Sequence, residues 1–474
     1  MAISLKNISA IKQLKWLQLI LGPVFFIVIT RFIPFSGMNI NSKFTLGIVA
    51  WMAFWWITEV VAIEATAILP LILFPILGVV DIKTAAAPYA HPYIFLFFGG
   101  FILALAIEKW DLHKRIALQI IHFFGTRPKQ LVGGVMAATA FLSMWISNTA
   151  TAVMMLPIAL SVIKALSMKE GSKFSESMLL GVAYSASIGG MATIIGTPPN
   201  LVFAGFVEQK LNRSVTFMEW MIWAFPLALI LLIFTWYFLT RTLNENSKIE
   251  TNHVQELQVL TKMTTEERRV LWIFVLTAIA WISRVWIIEP FFPFIDDTII
   301  ALICAVVLFL VPAKNGESLI QWKDTQRLSW GSLILFGGGL SLASAFDKSG
   351  LANWMAVWIS SWNHLSSWII IILVLSFMNF LTELTSNLAA TVVVLPLLLP
   401  ISENMGIDPF YFLAGTAISA SAAFMLPVAT PPNTLVFSSG QISIKKMMKV
   451  GFKLNLMSIF VIFLFVEFFI TINK

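Results

Sequence analysis

The chain is short of charge. Only 12% of its 474 positions are Asp, Glu, Lys or Arg, against roughly 25% in soluble domains, which excludes a water-soluble globular protein. It is also nearly without cysteine. The one thiol, Cys304, sits inside "TIIALICAVVLFLV", so there is neither a disulfide framework nor a thiolate metal site, and a small buried apolar role remains for it. The five histidines lie near the ends of apolar stretches or in connectors, which leaves an intramembrane hydrolase without a deep base. The basic start "MAISLKNISAIKQLKW" has no small-residue cleavage site after it and reads as a retained cytoplasmic end, not a signal peptide.

What abounds is apolar. Hydrophobic residues make up 58% of the chain, with 40 Phe and 18 Trp. Roughly ten continuous runs approach the ~20 residues a helix needs to cross ~30 Å of hydrocarbon. Continuous runs, in place of alternation over short segments, select helices over a β-barrel. The fold class is therefore an all-α polytopic membrane protein, placed in the cell membrane with the lipid bilayer as its surroundings. The net charge of +7 does not point to nucleic acid, because Lys and Arg sit in connectors between apolar spans, where they set topology.

Hydropathy places spans near 16–36, 45–58, 62–80, 93–110, 179–207, 219–240, 270–288, 297–312, 330–346, 410–438 and 450–471. Two further stretches, 130–166 and 366–400, are too long for one crossing and carry a polar motif at mid-length. Each reads as a re-entrant hairpin, since irregular backbone at membrane depth survives only where protein or a wet cavity surrounds it. Eleven crossings with the N-terminus cytoplasmic put the C-terminus outside and most of the 31 Lys and Arg on the cytoplasmic side, as the positive-inside rule requires. The polar stretch 241–269 reads as a cytoplasmic linker between two halves.

Those halves are related. "SNTATAVMMLP" at 147–157 returns as "SNLAATVVVLP" at 386–396, 239 positions later. The same offset carries Gly99-Gly100 onto Gly338-Gly339, Glu108-Lys109 onto Asp347-Lys348, and Phe141-Leu142-Ser143 onto Phe380-Leu381-Thr382. "GTPPN" at 196–200 recurs as "ATPPN" at 429–433, at a slightly shorter offset that a loop deletion explains. An odd number of crossings separates equivalent elements, so the repeat is inverted. Inverted repeats with interrupted helices at matching places are the signature of an alternating-access transporter with its site at mid-membrane.

The motifs have the chemistry for such a site. Ser-Asn at a hairpin tip starts a helix, whose free N–H groups and positive dipole end face an anion. Two consecutive prolines in "TPPN" remove backbone donors, interrupt a helix and free carbonyl oxygens that can ligate Na⁺. Neither motif contains Lys, Arg or His, so a dianion bound there needs co-bound cations for neutralisation, and Na⁺ is the economical choice. Glu383, before the second Ser-Asn, and Glu59 in "WWITEVVAIEATAILP" are intramembrane carboxylates. Each is placed either to bind an ion or to hydrogen-bond a neighbouring broken helix.

Together "WWITE", "FLFFGGFILALAIEKWDLHKRIAL", "SNTATAVMMLP", "SIGG" before "GTPPN", "TELTSN" and "FMLPVATPPN" resemble the divalent anion/sodium symporter family over nearly the whole chain. The resemblance implies a homodimer whose protomers each combine a fixed scaffold with a moving, elevator-type transport domain. It divides the chain into scaffold helices at 1–92, a first transport repeat at 93–240, the linker at 241–269, second-half scaffold helices at 270–329 and a second transport repeat at 330–474. It also implies that Ser147, Asn148 and Thr149 contact one substrate carboxylate and Ser386 and Asn387 the other, with Thr430 and Pro431 lining the pocket. Two sodium sites map to Ser143, Asn148 and Gly196, and to Thr382, Asn387 and Ala429. Leu388 stands where many members have a pocket Thr, and Met191 follows "SIGG" where a Thr is frequent. The resemblance implies a carrier, with no enzymatic activity, for C4 or C5 dicarboxylates such as succinate, malate, fumarate or 2-oxoglutarate. Na⁺ symport is the first reading, sodium-independent dicarboxylate exchange the second, and an anion channel a third that has no need of paired cation-ligating motifs.

Overall fold

The computed structural model describes residues 5–166, 171–243, 262–314, 316–359 and 366–472. Among them every named element is a helix, and the one β-type contact is a bridge between Pro312 and Ser318. Seven of these helices are long and apolar enough to cross a membrane, accompanied by three shorter apolar stretches. Most of the linker expected at 241–269 lies outside the described residues. Its far end is the start of the helix Thr265–Ser283, where the Thr264 hydroxyl accepts from the Glu267 N–H and the Glu267 carboxylate accepts from the Thr264 N–H, a reciprocal cap.

Both stretches read as hairpins are helix–turn–helix units. In the first, Pro128–Ser143 turns into Asn148–Ala165; in the second, Ser367–Leu381 turns into Asn387–Asn404. Ser147 and Ser386 start the second arms by leaving the helical region, with ψ of 145° and 131°. The Ser147 hydroxyl also accepts from the Ala150 N–H at 3.3 Å, as an N-cap serine does.

The spans expected at 179–207 and 410–438 are each two helices. Lys173–Met191 stops and Pro198–Leu211 resumes; Pro409–Ser421 stops and Pro431–Ser438 resumes. The cause is local, because a residue before proline is pushed out of the α region. Thr197 is extended at φ −145°, ψ 143° and Thr430 at φ −142°, ψ 149°. The stretch expected as one span at 62–80 is divided as well, into Ile63–Thr66 and Leu69–Ile76, with Pro70 in the first turn of the latter.

Packing then interlocks the repeats. Lys173–Met191 lies against both arms of the first hairpin, and Pro409–Ser421 against both arms of the second. The resumed helices cross over: Pro198–Leu211 lies on Asn387–Asn404, and Pro431–Ser438 on Asn148–Ala165. The glycine-rich helices Pro92–Lys109 and Trp330–Lys348 show the same relation. A Cβ on Gly99 would stand 2.7 Å from the Ala301 backbone, and one on Gly338 2.5 Å from the Ala67 carbonyl. Only glycine permits such backbone approach, and it does so at both equivalent positions.

Candidate functional site

Each hairpin tip is built around its asparagine. Behind the first, the buried Ser143 Oγ lies 2.8 Å from Asn148 Oδ1 and 2.6 Å from the Ala186 carbonyl oxygen. Behind the second, the buried Thr382 Oγ1 lies 2.6 Å from Asn387 Oδ1 and 2.7 Å from the Ala420 carbonyl oxygen. A hydroxyl has one proton to donate, and here each faces two acceptors. Three neutral oxygens thus converge at each tip with a single proton among them, a donor set suited to a hard cation. Gly190 closes the first tip from behind, since an added Cβ would sit 2.3 Å from Asn148 Oδ1.

The broken helices form the adjoining walls. Prolines are expected to free carbonyls for a cation, and the asparagine of each "TPPN" pairs other carbonyls around the same break. Asn200 Nδ2 donates to the carbonyls of Thr193 at 2.7 Å and Gly190 at 3.1 Å. Asn433 Nδ2 donates to those of Leu426 at 3.0 Å and Ala423 at 3.2 Å. Buried carbonyls are nearly always paired, and the amide one helical turn into the resumed helix is the donor within reach. The carbonyls that face the tip oxygens instead come from Ala186 and Ala420, inside the preceding helices.

Glu383 is hydrogen-bonded to the neighbouring broken helix, one of the two roles expected for it. Its carboxylate accepts from three consecutive backbone N–H groups, Phe424 and Met425 at 2.8 Å and Leu426 at 2.9 Å, and from Asn455 Nδ2 at 2.8 Å. It holds the second break in shape, and it is absent from the cavity wall. In the first repeat the equivalent tie is made by the Thr193 hydroxyl, which donates to the Met144 carbonyl at 2.5 Å.

Tips and breaks meet at one cavity of ≈ 940 Å³. Ser147, Asn148, Thr149, Gly196, Ser386, Asn387, Leu388, Ala429, Thr430 and Pro431 all lie on it. Ser143 and Thr382 do not; they stand behind the asparagines. Met191 is fully buried away from the wall, its carbonyl accepting from Trp220 Nε1 at 2.9 Å. The lining also includes Glu64, Arg327, Ser329 and Ser332, which no motif announces, Glu108, noted above only for its place in the repeat, and the expected suspect Glu59. Arg327 is the one Lys, Arg or His on this lining among the described residues, and it is ion-paired to Glu108. The cavity thus presents three carboxylates against one guanidinium. Glu64 was detectable in "WWITEVVAIEATAILP"; Arg327 comes from a connector with no motif.

The sequence matches the family described as the sodium:sulfate symporter transmembrane region over residues 13–472. The chain belongs to the divalent anion/sodium symporter family. It is 40% identical over 473 residues to the sodium-dependent dicarboxylate transporter SdcS of Staphylococcus saprophyticus, covering 95% of this chain and 91% of that one. The SdcS of Staphylococcus aureus strain MRSA252 is 40% identical over 472 residues, covering 96% and 91%. Among solved structures, the YdaH transporter of Alcanivorax borkumensis superposes with a TM-score of 0.58 at 15% identity, covering 82% of this chain and 88% of that one. MtrF of Neisseria gonorrhoeae superposes with a TM-score of 0.60 at 12% identity, covering 93% and 96%. The last two speak for the fold alone. The two oxygen clusters and the shared cavity lie where the hairpins and broken helices of the two repeats meet.

Proposed function

We propose that the protein carries C4 and C5 dicarboxylates across the cell membrane by secondary active transport coupled to Na⁺. The observation that carries this reading is the pairing of two hairpin tips at one cavity, each with a helix N-terminus in front and a three-oxygen cluster behind. Ser147, Asn148 and Thr149 would hold one carboxylate, Ser386 and Asn387 the other, with Leu388, Thr430 and Pro431 filling the wall between. Sodium would sit behind the substrate, at Ser143, Asn148 and Gly196 on one side and at Thr382, Asn387 and Ala429 on the other. The 40% identical relatives named sodium-dependent dicarboxylate transporters support both substrate class and ion.

Electrostatics supports symport over exchange. Each helix end offers only about half a charge, and Arg327 is already paired to Glu108. Glu59 and Glu64 have no cationic partner among the described residues. A dianion entering this cavity therefore meets a deficit of positive charge that Na⁺ at the two clusters makes good. Eleven crossings with the two hairpins entering from opposite sides, a cytoplasmic N-terminus, an outer C-terminus, a homodimer and an elevator-like displacement of the hairpins and broken helices against the remaining scaffold complete the proposal. The test is uptake of labelled succinate into proteoliposomes. Uptake should rise cooperatively with Na⁺ and vanish when choline replaces it, even with internal dicarboxylate. Full-rate exchange in choline would overturn symport in favour of exchange.

A further inference from the structure

The helix Ile444–Ile472 has 29 residues, about 43 Å at 1.5 Å per residue, while the hydrocarbon core spans only ~30 Å. The excess length suits a helix that tilts or carries one end into the headgroup region, and its charged end is the first. Its first turns carry lysines at 445, 449 and 453, all exposed and, at a spacing of four, on one face. Beside them runs an exposed apolar stripe at the same spacing, Ile444, Met448, Phe452, Leu456, Phe460, Leu464 and Phe468, which continues down the helix beyond the last lysine. Among the described residues no carboxylate pairs with Lys445, Lys449 or Lys453; the neighbouring Lys446 is the one that reaches an acid, Glu176, at 2.7 Å. Lys453 and Arg241 both lie over the Phe238 ring, at 5.9 and 4.8 Å from its centroid, which adds a fourth positive charge to the same edge.

The three lysines, with Met448, Phe452 and Met425, line an open groove of ≈ 450 Å³. Met425 belongs to the second break, one of the residues whose N–H the Glu383 carboxylate accepts. The reverse face of the same helix grips that break closely: a Cβ on Gly451 would lie 2.1 Å from the Phe424 carbonyl oxygen and 2.5 Å from Met425 Cα. One turn on, Asn455 donates to Glu383 and its Oδ1 accepts from the Phe424 N–H at 3.2 Å. Met425, which lines the groove, precedes Ala429 of the candidate site by four residues in the same break.

We infer that this groove binds the headgroup of an anionic phospholipid, its phosphate between Lys445, Lys449 and Lys453 and its acyl chain along the Phe452–Phe468 stripe, and that occupancy steadies the second break. Unpaired lysines beside an apolar stripe at the membrane boundary match a ligand that is anionic at one end and apolar at the other, and basic pockets at such boundaries recognise lipid headgroups. A soluble anion would satisfy the lysines but leave the stripe unused. The effect on transport rests on the carrier reading above; lipid retention does not.

The experiment compares the full-length protein with the Lys445→Gln, Lys449→Gln, Lys453→Gln triple variant. Native mass spectrometry after purification with phosphatidylglycerol should show lipid adducts on the wild type and about fivefold weaker retention for each lysine removed. In proteoliposomes, initial uptake by the wild type should rise when phosphatidylglycerol is added to phosphatidylcholine, whereas the variant should show the wild-type rate in pure phosphatidylcholine and no such rise. Equal retention by the two proteins, or equal stimulation of the variant, overturns the proposal. So does stimulation reproduced by inorganic phosphate in neutral vesicles, which would make the groove a soluble-anion site. If neither protein transports yet retention differs as expected, the lipid site stands and the carrier reading falls.

Discussion

Replacing Gly190 by alanine puts a methyl group where the side chain of Asn148 already is. The new Cβ would stand 2.3 Å from Oδ1, 3.1 Å from Cγ and 3.2 Å from Nδ2 of Asn148, the first of these more than roughly 1 Å inside comfortable contact. Gly190 lies within the helix Lys173–Met191, where alanine is intrinsically better by about 1 kcal/mol. Overpacking opposes this by about 1–3 kcal/mol, so the net change in stability is small, about 0–2 kcal/mol. The strain is relieved by turning Asn148 away, which takes its Oδ1 out of the cluster with Ser143 and Ala186. Losing one neutral oxygen contact is worth ~0.5–1.5 kcal/mol, or about a two- to tenfold rise in the Na⁺ concentration for half-maximal uptake. The assay is initial succinate uptake against Na⁺ in proteoliposomes at matched insertion, alongside thermal melting in detergent. Position 423, equivalent in the second repeat, is already alanine, so the effect should be confined to the first tip. Unchanged Na⁺ dependence in a normally melting Gly190→Ala protein would refute the assignment of Asn148 to a cation site.

Three further outcomes follow from the same geometry. Asn148→Ala and Asn387→Ala should each abolish uptake while leaving a folded protein, because each amide serves the cavity in front and the oxygen cluster behind; near-normal uptake in either, at matched expression, contradicts this. Leu388→Thr returns a hydroxyl to the cavity wall and should shift relative affinities among succinate, malate, 2-oxoglutarate and citrate by about two- to tenfold, with melting unchanged; an identical substrate profile would mean that the new hydroxyl does not reach the ligand. Glu383→Gln removes the charge that gathers three backbone N–H groups, so it should lower stability by about 1.5–3 kcal/mol, read as a drop in melting temperature; intact melting with altered Na⁺ dependence would move Glu383 into the ion-binding set.

The sequence made the hairpin tips and Glu59 legible and left the meeting of Arg327 with Glu108 dark. Ser147-Asn148 and Ser386-Asn387 declare themselves because a polar pair within an apolar stretch is unusual and a duplicated one more so. The paired prolines likewise announce breaks, since the conformational restriction on Thr197 and Thr430 is a property of adjacent residues. Which carbonyls around each break the amides of Asn200 and Asn433 take is not local in that sense, because it depends on how the resumed helix is turned. Glu383 shows the same limit, as a carboxylate within an apolar run is expensive whether it holds an ion or three N–H groups, and only the position of Phe424, Met425 and Leu426 decides. Arg327 and Glu108 meet across more than two hundred residues of chain, a distance over which composition and periodicity carry no information.

The crossing of Pro198–Leu211 onto the second hairpin and of Pro431–Ser438 onto the first has a bearing on how the protein is made. When the ribosome has finished the first half, the arm Asn148–Ala165 already has Lys173–Met191 against it, but the second helix that packs on it, Pro431–Ser438, has not been synthesised. At ~5–20 residues per second, on the order of tens of seconds pass before Pro431–Ser438 emerges. The nascent first hairpin waits in the bilayer, or against an insertion chaperone, with the face that meets Pro431–Ser438 uncovered. Neither half is a finished folding unit, and two halves expressed as separate chains would have to find each other before either could close.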